Sequence, residues 1–255
     1  ESLPKIRVQD LHYGDVLFNF YAGDEFEALT RLEAYEHWNR MPNHRHDAAL
    51  LAGGLYLSLG MHNEAGKRFA TLLGTEVPVV VRNRAWFYLA KVWYTRGYYD
   101  RSEQSLGRIS GLLTPALEAE RQHLLVNVLM RQNRFDEAAA RLAGWQGPPD
   151  WMAYARFNLG VALARQNRVS DADPVLTGVG TMEVGGAEML ALRDKANLAL
   201  GYAWLQAGDA ARARPALERV RLTGPYATRG LLGVGWASAT RGQYREALTP
   251  WLEVR

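Results

Sequence analysis

At seven places along this chain, a glycine or asparagine is followed five residues later by an alanine or serine. The seven pairs, numbered one to seven below, are Gly23/Ala28, Gly60/Ala65, Gly97/Ser102, Asn133/Ala138, Asn167/Ala172, Gly208/Ala213 and Gly242/Ala247. We call the glycine or asparagine of each pair the hinge residue. Successive hinges lie about 34–41 residues apart, a period typical of a chain built from stacked copies of one small unit. Such chains present binding surfaces, because each copy packs only against its neighbours.

Apolar residues stand at fixed distances on both sides of each hinge and predict two antiparallel helices per unit. Before the hinge, positions eight, seven and four residues back form one helical stripe, as in Leu89, Ala90 and Trp93. After the hinge, positions five, nine and twelve residues on form the inner face of a second helix, as in Leu217 and Val220. The small residue seven positions back predicts a close approach of the second helix. The hinge tolerates the left-handed conformation that ends the first helix.

This pattern resembles the tetratricopeptide repeat over nearly the whole chain, and the segments WFYLAKVWYTRGYYDRSEQSLGRI and NLALGYAWLQAGDAARARPALERV match it best. The resemblance implies an all-α fold, a right-handed α-solenoid of about seven helix-turn-helix repeats. We expect one solenoid over residues 1–255, with units near 9–38, 46–76, 83–112, 119–147, 153–180, 194–223 and 228–255. The first unit fits least well, because Asp15, Val16 and Asn19 occupy slots that elsewhere hold apolar, small and aromatic residues.

Units five to seven depart from a regular repeat. The period lengthens before unit six, and we expect residues 177–189 to form a Gly-rich loop between the units. Pro174, Pro215 and Pro250 lie inside the second helices of these units. A proline inside a helix removes a backbone hydrogen bond at a cost of about 3 kcal/mol. We therefore expect these helices to start late or to bend.

Composition narrows the classes of function. The chain has no cysteine, which excludes thiol catalysis, disulfides and thiolate metal sites. Its net charge is +3 with no long basic run, so we expect no nucleic-acid partner. No apolar stretch is long enough to predict a membrane span. No catalytic motif is recognisable, so we expect no enzymatic activity and no cofactor. The lack of cysteine and the start at Glu1 favour a processed periplasmic or exported protein over a cytoplasmic one.

The resemblance also implies a binding groove, because the first helices of a tetratricopeptide stack line its concave face. Groove-facing slots lie about thirteen, ten, six and three residues before each hinge, and we read them, with a few neighbouring positions, in units three to seven. The predicted partner-binding residues are Arg84, Phe87, Lys91, Tyr94, His123, Asn127, Arg131, Tyr154, Phe157, Asn158, Lys195, Tyr202, Arg229 and Trp236. This aromatic and basic set suits a protein or peptide partner with acidic groups or a free C-terminus. The alternative is that another part of the native protein fills the groove.

Part of this set resembles a two-carboxylate clamp that holds a peptide C-terminus in some tetratricopeptide domains. That clamp uses Lys and Asn from one repeat, Asn from the next, and Lys and Arg from the third. The corresponding slots here are His123 and Asn127, then Asn158, then Lys195 and Ala199, so the Arg is missing and His replaces one Lys. In the alternative interpretation, Asn158 bonds the backbone of a neighbouring helix, as buried asparagines do.

The segment NHRHD places His44 and His46 beside Asp47 and offers three metal-ligand types. The same segment fits the start of unit two, with Asp47 near a helix N-terminus, where a negative charge is favourable. We expect the helix start and no metal site.

These observations favour a non-enzymatic adaptor or scaffold that binds a partner in its groove. The alternative is a structural or oligomerising subunit of a bacterial cell-envelope assembly that uses its convex face or its ends. A homo-oligomer formed through the C-terminal end, at Trp251 and Val254, is the simplest form of this alternative.

Overall fold

Every hinge residue ends a helix in the left-handed conformation in the computed structural model, which describes residues 8–111 and 113–254. The φ angle is between 76° and 84° at the five hinge glycines and 60° at Asn133 and Asn167. The next amide donates to a carbonyl five residues back, as Tyr98 N does to Trp93 O at 2.9 Å. The predicted helix ends are therefore confirmed, because glycine and asparagine tolerate this backbone conformation better than other residues.

The chain divides into two compact units, residues 1–128 and 129–255. In the described part of the first unit, the helices are α1 (Leu11–Tyr21), α2 (Glu25–His37), a short 3₁₀ helix (Pro42–His44), α3 (Arg45–Ser58), α4 (His62–Leu73), α5 (Val79–Thr95), α6 (Tyr99–Gly107) and most of α7 (Pro115–Arg131). In sequence order, α1 to α6 form three antiparallel pairs, and each odd-numbered helix is the first helix of its pair.

The described part of the second unit continues the pattern after the end of α7. Its helices are α8 (Phe135–Gly144), α9 (Pro149–Arg165), α10 (Val169–Gly180), α11 (Ala187–Gln206), α12 (Ala210–Glu218), α13 (Ala227–Thr240) and α14 (Tyr244–Leu252). Across residues 8–111 and 113–254 there are thus fourteen α-helices and no strand, and the predicted all-α fold is confirmed.

The small residue five positions after each hinge lies in the centre of its helix pair. All seven are fully buried: Ala28, Ala65, Ser102, Ala138, Ala172, Ala213 and Ala247. Ser102 satisfies its hydroxyl by donating to the carbonyl of Ala90 on the partner helix at 2.8 Å. A larger side chain at these positions would push the two helices apart, because protein interiors are close-packed.

The glycines seven positions before the hinges face the large residues nine positions after them. The four pairs are Gly53/Phe69, Gly160/Leu176, Gly201/Leu217 and Gly235/Trp251. In each pair, a Cβ atom on the glycine would come closer than 3.0 Å to the opposing side chain, a separation that real Cβ atoms essentially never show. The predicted close approach is therefore confirmed, and its partner is the large residue of the second helix.

Asp15 in the first pair occupies a slot that is apolar in the other pairs, and its charge is compensated. Its carboxylate accepts hydrogen bonds from Arg31 Nη1 at 2.8 and 2.9 Å and from the Tyr35 hydroxyl at 2.8 Å. The hydrogen bond from Arg31 is the main reason that the pKa of Asp15 is lowered. Val16 beside it is fully buried, so the first pair keeps the packing of the others despite its weaker pattern.

In two helix pairs, a buried polar side chain on the first helix forms hydrogen bonds with the segment that follows the second helix. Asn83 on α5 donates to the carbonyl of Ser110 at 2.6 Å and accepts from its amide at 3.2 Å. Asp194 on α11 is fully buried and accepts from Arg221 Nε at 2.9 Å and, more weakly, from the Arg221 amide at 3.3 Å. Both acceptors stand fourteen residues before their hinges, a slot that the sequence pattern did not reveal.

Two expectations for units five to seven need correction. The second helices that contain Pro174, Pro215 and Pro250 begin two residues after their hinges, as the other second helices do, so none starts late, and a bend at these prolines stays a prediction. The predicted loop at 177–189 is shorter in the structure, because α10 continues to Gly180 and α11 begins at Ala187. Among the residues described, no helix is both long and apolar enough to cross a bilayer.

Candidate functional site

A pocket of about 570 Å³ lies on the first-helix face of the first unit, along α1, α3 and α5. We call it the first-helix pocket. Its lining residues are Val8, Tyr13, Leu17, Phe20, Tyr21, Glu25, Asp47, Leu50, Leu51, Gly54, Ser58, Arg84 and Tyr88. Aromatic and aliphatic side chains therefore form most of the lining, with three charged groups among them. Ligand pockets commonly have this composition and size.

Most of these residues occupy the predicted groove-facing slots. Tyr13, Leu17 and Phe20 stand ten, six and three residues before the first hinge, and Asp47, Leu50 and Gly54 stand thirteen, ten and six before the second. Arg84 alone belongs to the predicted set, because the slots were read only in units three to seven. The same offsets in the first two repeats point to these six lining residues, but they do not reveal the open space between the helices.

Tyr13 lies deep in the pocket between opposite charges. Burial raises its pKa to about 12, Asp47 adds to the rise, and Arg84 opposes it. The Tyr13 ring stacks on His44 with 4.5 Å between ring centroids. His44 is itself buried, and its Nε2 accepts from the Gln9 amide at 2.9 Å. These contacts fix the tyrosine ring against the base of α3.

The NHRHD segment forms the start of α3, as expected. Asp47 lies in the first turn of α3, and its carboxylate is 3.5 Å from His44 Nδ1. Over the described ranges, no group of three or more metal-ligand side chains comes together. The Asp47 carboxylate thus lies at the positive end of the α3 dipole, which favours its negative charge.

The predicted residues of α5 do not all reach the surface. Arg84 is exposed, but Phe87 is only 1% exposed, so its prediction as a surface anchor is wrong. The side chains ten residues before the hinge are buried in all three helix pairs between α1 and α6, because Tyr13 and Leu50 occupy the same slot as Phe87 and are buried as well. Lys91 lies over the Phe87 ring, with 5.4 Å from Nζ to the centroid.

Two other predicted residues of the first unit contact neighbours on the same surface. The Lys91 ammonium is 3.4 Å from the Glu120 carboxylate, which links α5 to α7. Tyr94 packs on Tyr99 of its own helix pair, with 5.7 Å between ring centroids. A partner that binds here would have to compete with or extend these contacts.

His123 and Asn127, the first two residues of the predicted clamp, are half-buried one turn apart on α7. Asn127 Nδ2 is 3.4 Å from both ring nitrogens of His123. Burial lowers the pKa of His123, which disfavours the cationic form that would replace lysine. The clamp stays a prediction.

In the second unit, the predicted residues of α7 and α9 lie at or near the surface. Arg131 and Asn158 are exposed, and Phe157 is half-buried. The Tyr154 hydroxyl donates to Glu188 Oε1 on α11 at 2.5 Å, and this hydrogen bond raises the pKa of Tyr154. Since Asn158 is exposed, the alternative interpretation of a buried, backbone-bonding asparagine is wrong.

The remaining predicted residues form an exposed aromatic and basic surface on α11 and α13. It consists of Lys195, Tyr202, Arg229 and Trp236, which are all exposed. The Tyr202 hydroxyl donates to the carbonyl of Arg229 at 3.0 Å, and the Trp236 ring meets Trp251 edge-on at 5.3 Å. We call these four residues the α11–α13 surface.

Comparisons with known proteins agree with this architecture. A family model described as tetratricopeptide repeat matches residues 123–173 and 196–254. The crystal structure of the C-terminal part of a TPR repeat-containing protein from Cytophaga hutchinsonii superposes with a TM-score of 0.68 at 13% identity, covering 95% of this chain and 93% of that one. A tetratricopeptide repeat protein from Parabacteroides merdae gives a TM-score of 0.57 at 11% identity, covering 96% and 92%. No curated protein matches the sequence.

Proposed function

We propose that this chain, which the tetratricopeptide-repeat family model matches over residues 123–173 and 196–254, is a non-enzymatic scaffold that binds a partner protein or peptide. The fold supports the general class, since repeat stacks of this kind offer extended binding surfaces rather than catalytic centres. The first-helix pocket is the observation that supports this proposal most directly. It is lined by three successive first helices and holds apolar, aromatic and charged groups together.

The pocket suits a short segment of a partner. Leu17, Leu50 and Leu51 supply an apolar floor, while Tyr21 and Arg84 lie exposed at the surface. An apolar side chain of the partner would be removed from water against the floor, which provides most of the binding free energy. The exposed groups would orient the partner through polar contacts.

The test is partner capture from the native host with the purified protein as bait and mass-spectrometric identification. We expect Tyr21→Ser combined with Arg84→Ser to keep the helical circular dichroism and to lose the partner. The matched control combines Phe18→Ser on α1 with Arg82→Ser on α5, two exposed residues outside the pocket lining. Equal capture by wild type and the Tyr21/Arg84 variant would refute the pocket assignment.

We also propose that the α11–α13 surface recognises acidic groups of the partner. Lys195 and Arg229 supply positive charge beside Tyr202 and Trp236, and arginine binds carboxylates with two parallel hydrogen bonds. Lys195→Glu with Arg229→Glu should weaken capture, whereas Arg241→Glu with Arg245→Glu, a charge change of equal size elsewhere in the same unit, should not. Capture that tolerates the first pair as well as the second would contradict this assignment.

A second candidate function, association with another helical hairpin through α14, is favoured by one observation. Tyr244, Leu248 and Leu252 form a stripe on α14, and their exposed fractions are 72%, 53% and 73%, respectively. The residue in the Tyr244 slot of α8, α10 and α12 is only 5–7% exposed, because the following helix pair covers it. A second copy of the chain would be the simplest partner.

Light scattering at several protein concentrations tests self-association. If the apparent mass of the wild type rises with concentration, Leu248→Asp should lower it. A wild-type protein that stays monomeric at every concentration would exclude self-association.

A further inference from the structure

Two adjacent glycines on α3 have opposite surroundings. Gly53 faces Phe69 so closely that no side chain fits there. Gly54 faces the first-helix pocket, and a Cβ atom added to it would meet no other atom within 4 Å. A glycine in the middle of a helix costs about 0.5–1 kcal/mol relative to alanine. Packing explains this cost at Gly53, but it does not explain the cost at Gly54.

Gly54 also breaks the pattern of its slot, which lies six residues before the hinge. The same slot holds a side chain in every other unit, namely Leu17, Lys91, Asn127, Val161, Tyr202 and Trp236. In the α3–α4 pair the missing side chain leaves space between α1 and α5, in a pocket whose lining includes Leu17, Phe20 and Tyr88. The space is thus bordered by two aromatic rings and an aliphatic side chain, and aromatic groups pack favourably against such walls.

The charges around this space are not equivalent. Glu25 and Asp47 each lie in the first turn of a helix, where the positive end of the helix dipole stabilises a carboxylate, and Asp47 is also 3.5 Å from His44. Arg84 lies in the sixth position of α5, and no carboxylate within the described ranges lies within ion-pair distance of it. Among the residues that the structure describes, Arg84 is therefore the pocket cation without an ion-pair partner, and it is available to a ligand.

We propose that the space over Gly54 receives one aromatic side chain of the partner and that Arg84 pairs with a carboxylate adjacent to that side chain. This proposal rests on the proposed function, because it names the chemistry that the same pocket selects. The partner is then a segment with an aromatic residue beside an acidic one.

The test uses three fluorinated probes with the same ring and different charge: 5-fluoroindole-3-acetate, 5-fluoroindole and 5-fluorotryptamine. Fluorine NMR titration of the whole chain gives their dissociation constants. We expect the acetate to bind best and about tenfold more tightly than the amine, which corresponds to about 1.4 kcal/mol. Gly54→Leu should weaken binding of the acetate about tenfold or more by filling the space, and Gly54→Ala should weaken it less.

Arg84→Gln tests the contribution of the Arg84 charge to probe binding while it leaves the space over Gly54 unfilled. It should remove the preference for the acetate over the amine, whereas Arg82→Gln, an exposed neighbour on α5 outside the pocket lining, should retain it. The proposal is overturned if no probe binds, if the amine binds best, or if Gly54→Leu and Gly54→Ala both bind the acetate like wild type. The proposed function is judged separately, by capture with the Tyr21/Arg84 variant, so the two can fail independently.

Discussion

Phe69 of α4 lies against the bare Cα of Gly53 on α3, so closely that a Cβ atom on Gly53 would overlap its ring. The ring is fully buried and stacks on Tyr88 of the next helix pair with 5.7 Å between centroids. One glycine therefore sets the distance between α3 and α4 and also the position of a ring that contacts α5. Four of the seven helix pairs use the same device.

Gly53→Ala should destabilise the protein by about 1–3 kcal/mol, because the added methyl group must displace Phe69 from a close-packed site. The matched control is Gly54→Ala, which should stabilise by about 0.5–1 kcal/mol because alanine is the better helix former and meets open space. Urea unfolding of the two variants beside wild type measures both effects. Equal effects of the two substitutions would contradict the close packing at Gly53.

Asn167→Ala should destabilise by about 1–2 kcal/mol, because the Cβ atom of alanine makes a φ of 60° costly, whereas asparagine tolerates this conformation better. Asn167→Gly should cause little or no loss, since glycine adopts this conformation without steric cost. Asn158→Ala, an exposed position inside α9, is the control and should be neutral or slightly stabilising. Thermal unfolding midpoints give the order of the three variants, and a harmless Asn167→Ala would argue against the left-handed turn.

Arg221→Met should cost about 3–5 kcal/mol, because it removes the guanidinium that pairs with the fully buried Asp194 carboxylate. Adding Asp194→Asn should restore part of the loss, since the amide carries no charge to bury. Arg241→Met at an exposed turn should change the free energy of unfolding by less than about 0.5 kcal/mol. If Arg221→Met behaved like this control, Asp194 would have another source of compensation.

The free energy of unfolding should decrease as the pH is lowered, because His123 is harder to protonate in the folded protein than in the unfolded chain. Burial lowers the pKa of His123 below its ordinary value of 6.5, so the unfolded chain binds the proton more readily than the folded one. The stabilisation is complete above pH 6.5 and is lost as the pH falls from there through the folded pKa. Urea midpoints at several pH values should show a weaker acid decline for His123→Gln than for wild type.

His37→Gln, at the exposed end of α2, is the control for this pH series and should follow the wild-type curve. Proton NMR of the imidazole signals gives the pKa of His123 directly. A His123 signal that titrates above 6.5 would contradict the prediction, because the sign of the linkage would then be reversed.

Local sequence pattern predicted the helical pairs because their causes lie within one unit. A residue such as Asn167 can end a helix because of its own backbone sterics, and Ala172 is small because the two helices of its pair cross there. Gly201 and Leu217 depend on each other within the same pair. These relationships recur at fixed offsets, so a single sequence is enough to recognise them.

The candidate site was less predictable because it depends on several helices together. Offsets alone assigned Phe87 to the surface, but its slot turns inward where α5 packs against its neighbours. Gly54 looks like any helix glycine in the sequence, and only the positions of α1 and α5 give it an open space. Asn83 and Asp194 likewise form hydrogen bonds with residues that follow the second helix of their pair, and only the folded chain brings these residues close to them.

By itself, the sequence determined the all-α repeat architecture, the hinge conformations and the close approach within each pair, since these follow from backbone sterics and side-chain size over short distances. The tertiary structure decided which of the repeated slots are buried, which carry compensated charges and which enclose a pocket. Those outcomes depend on the sizes and charges of side chains from three helices that meet in space. A periodic pattern along the sequence does not show which of these side chains come into contact.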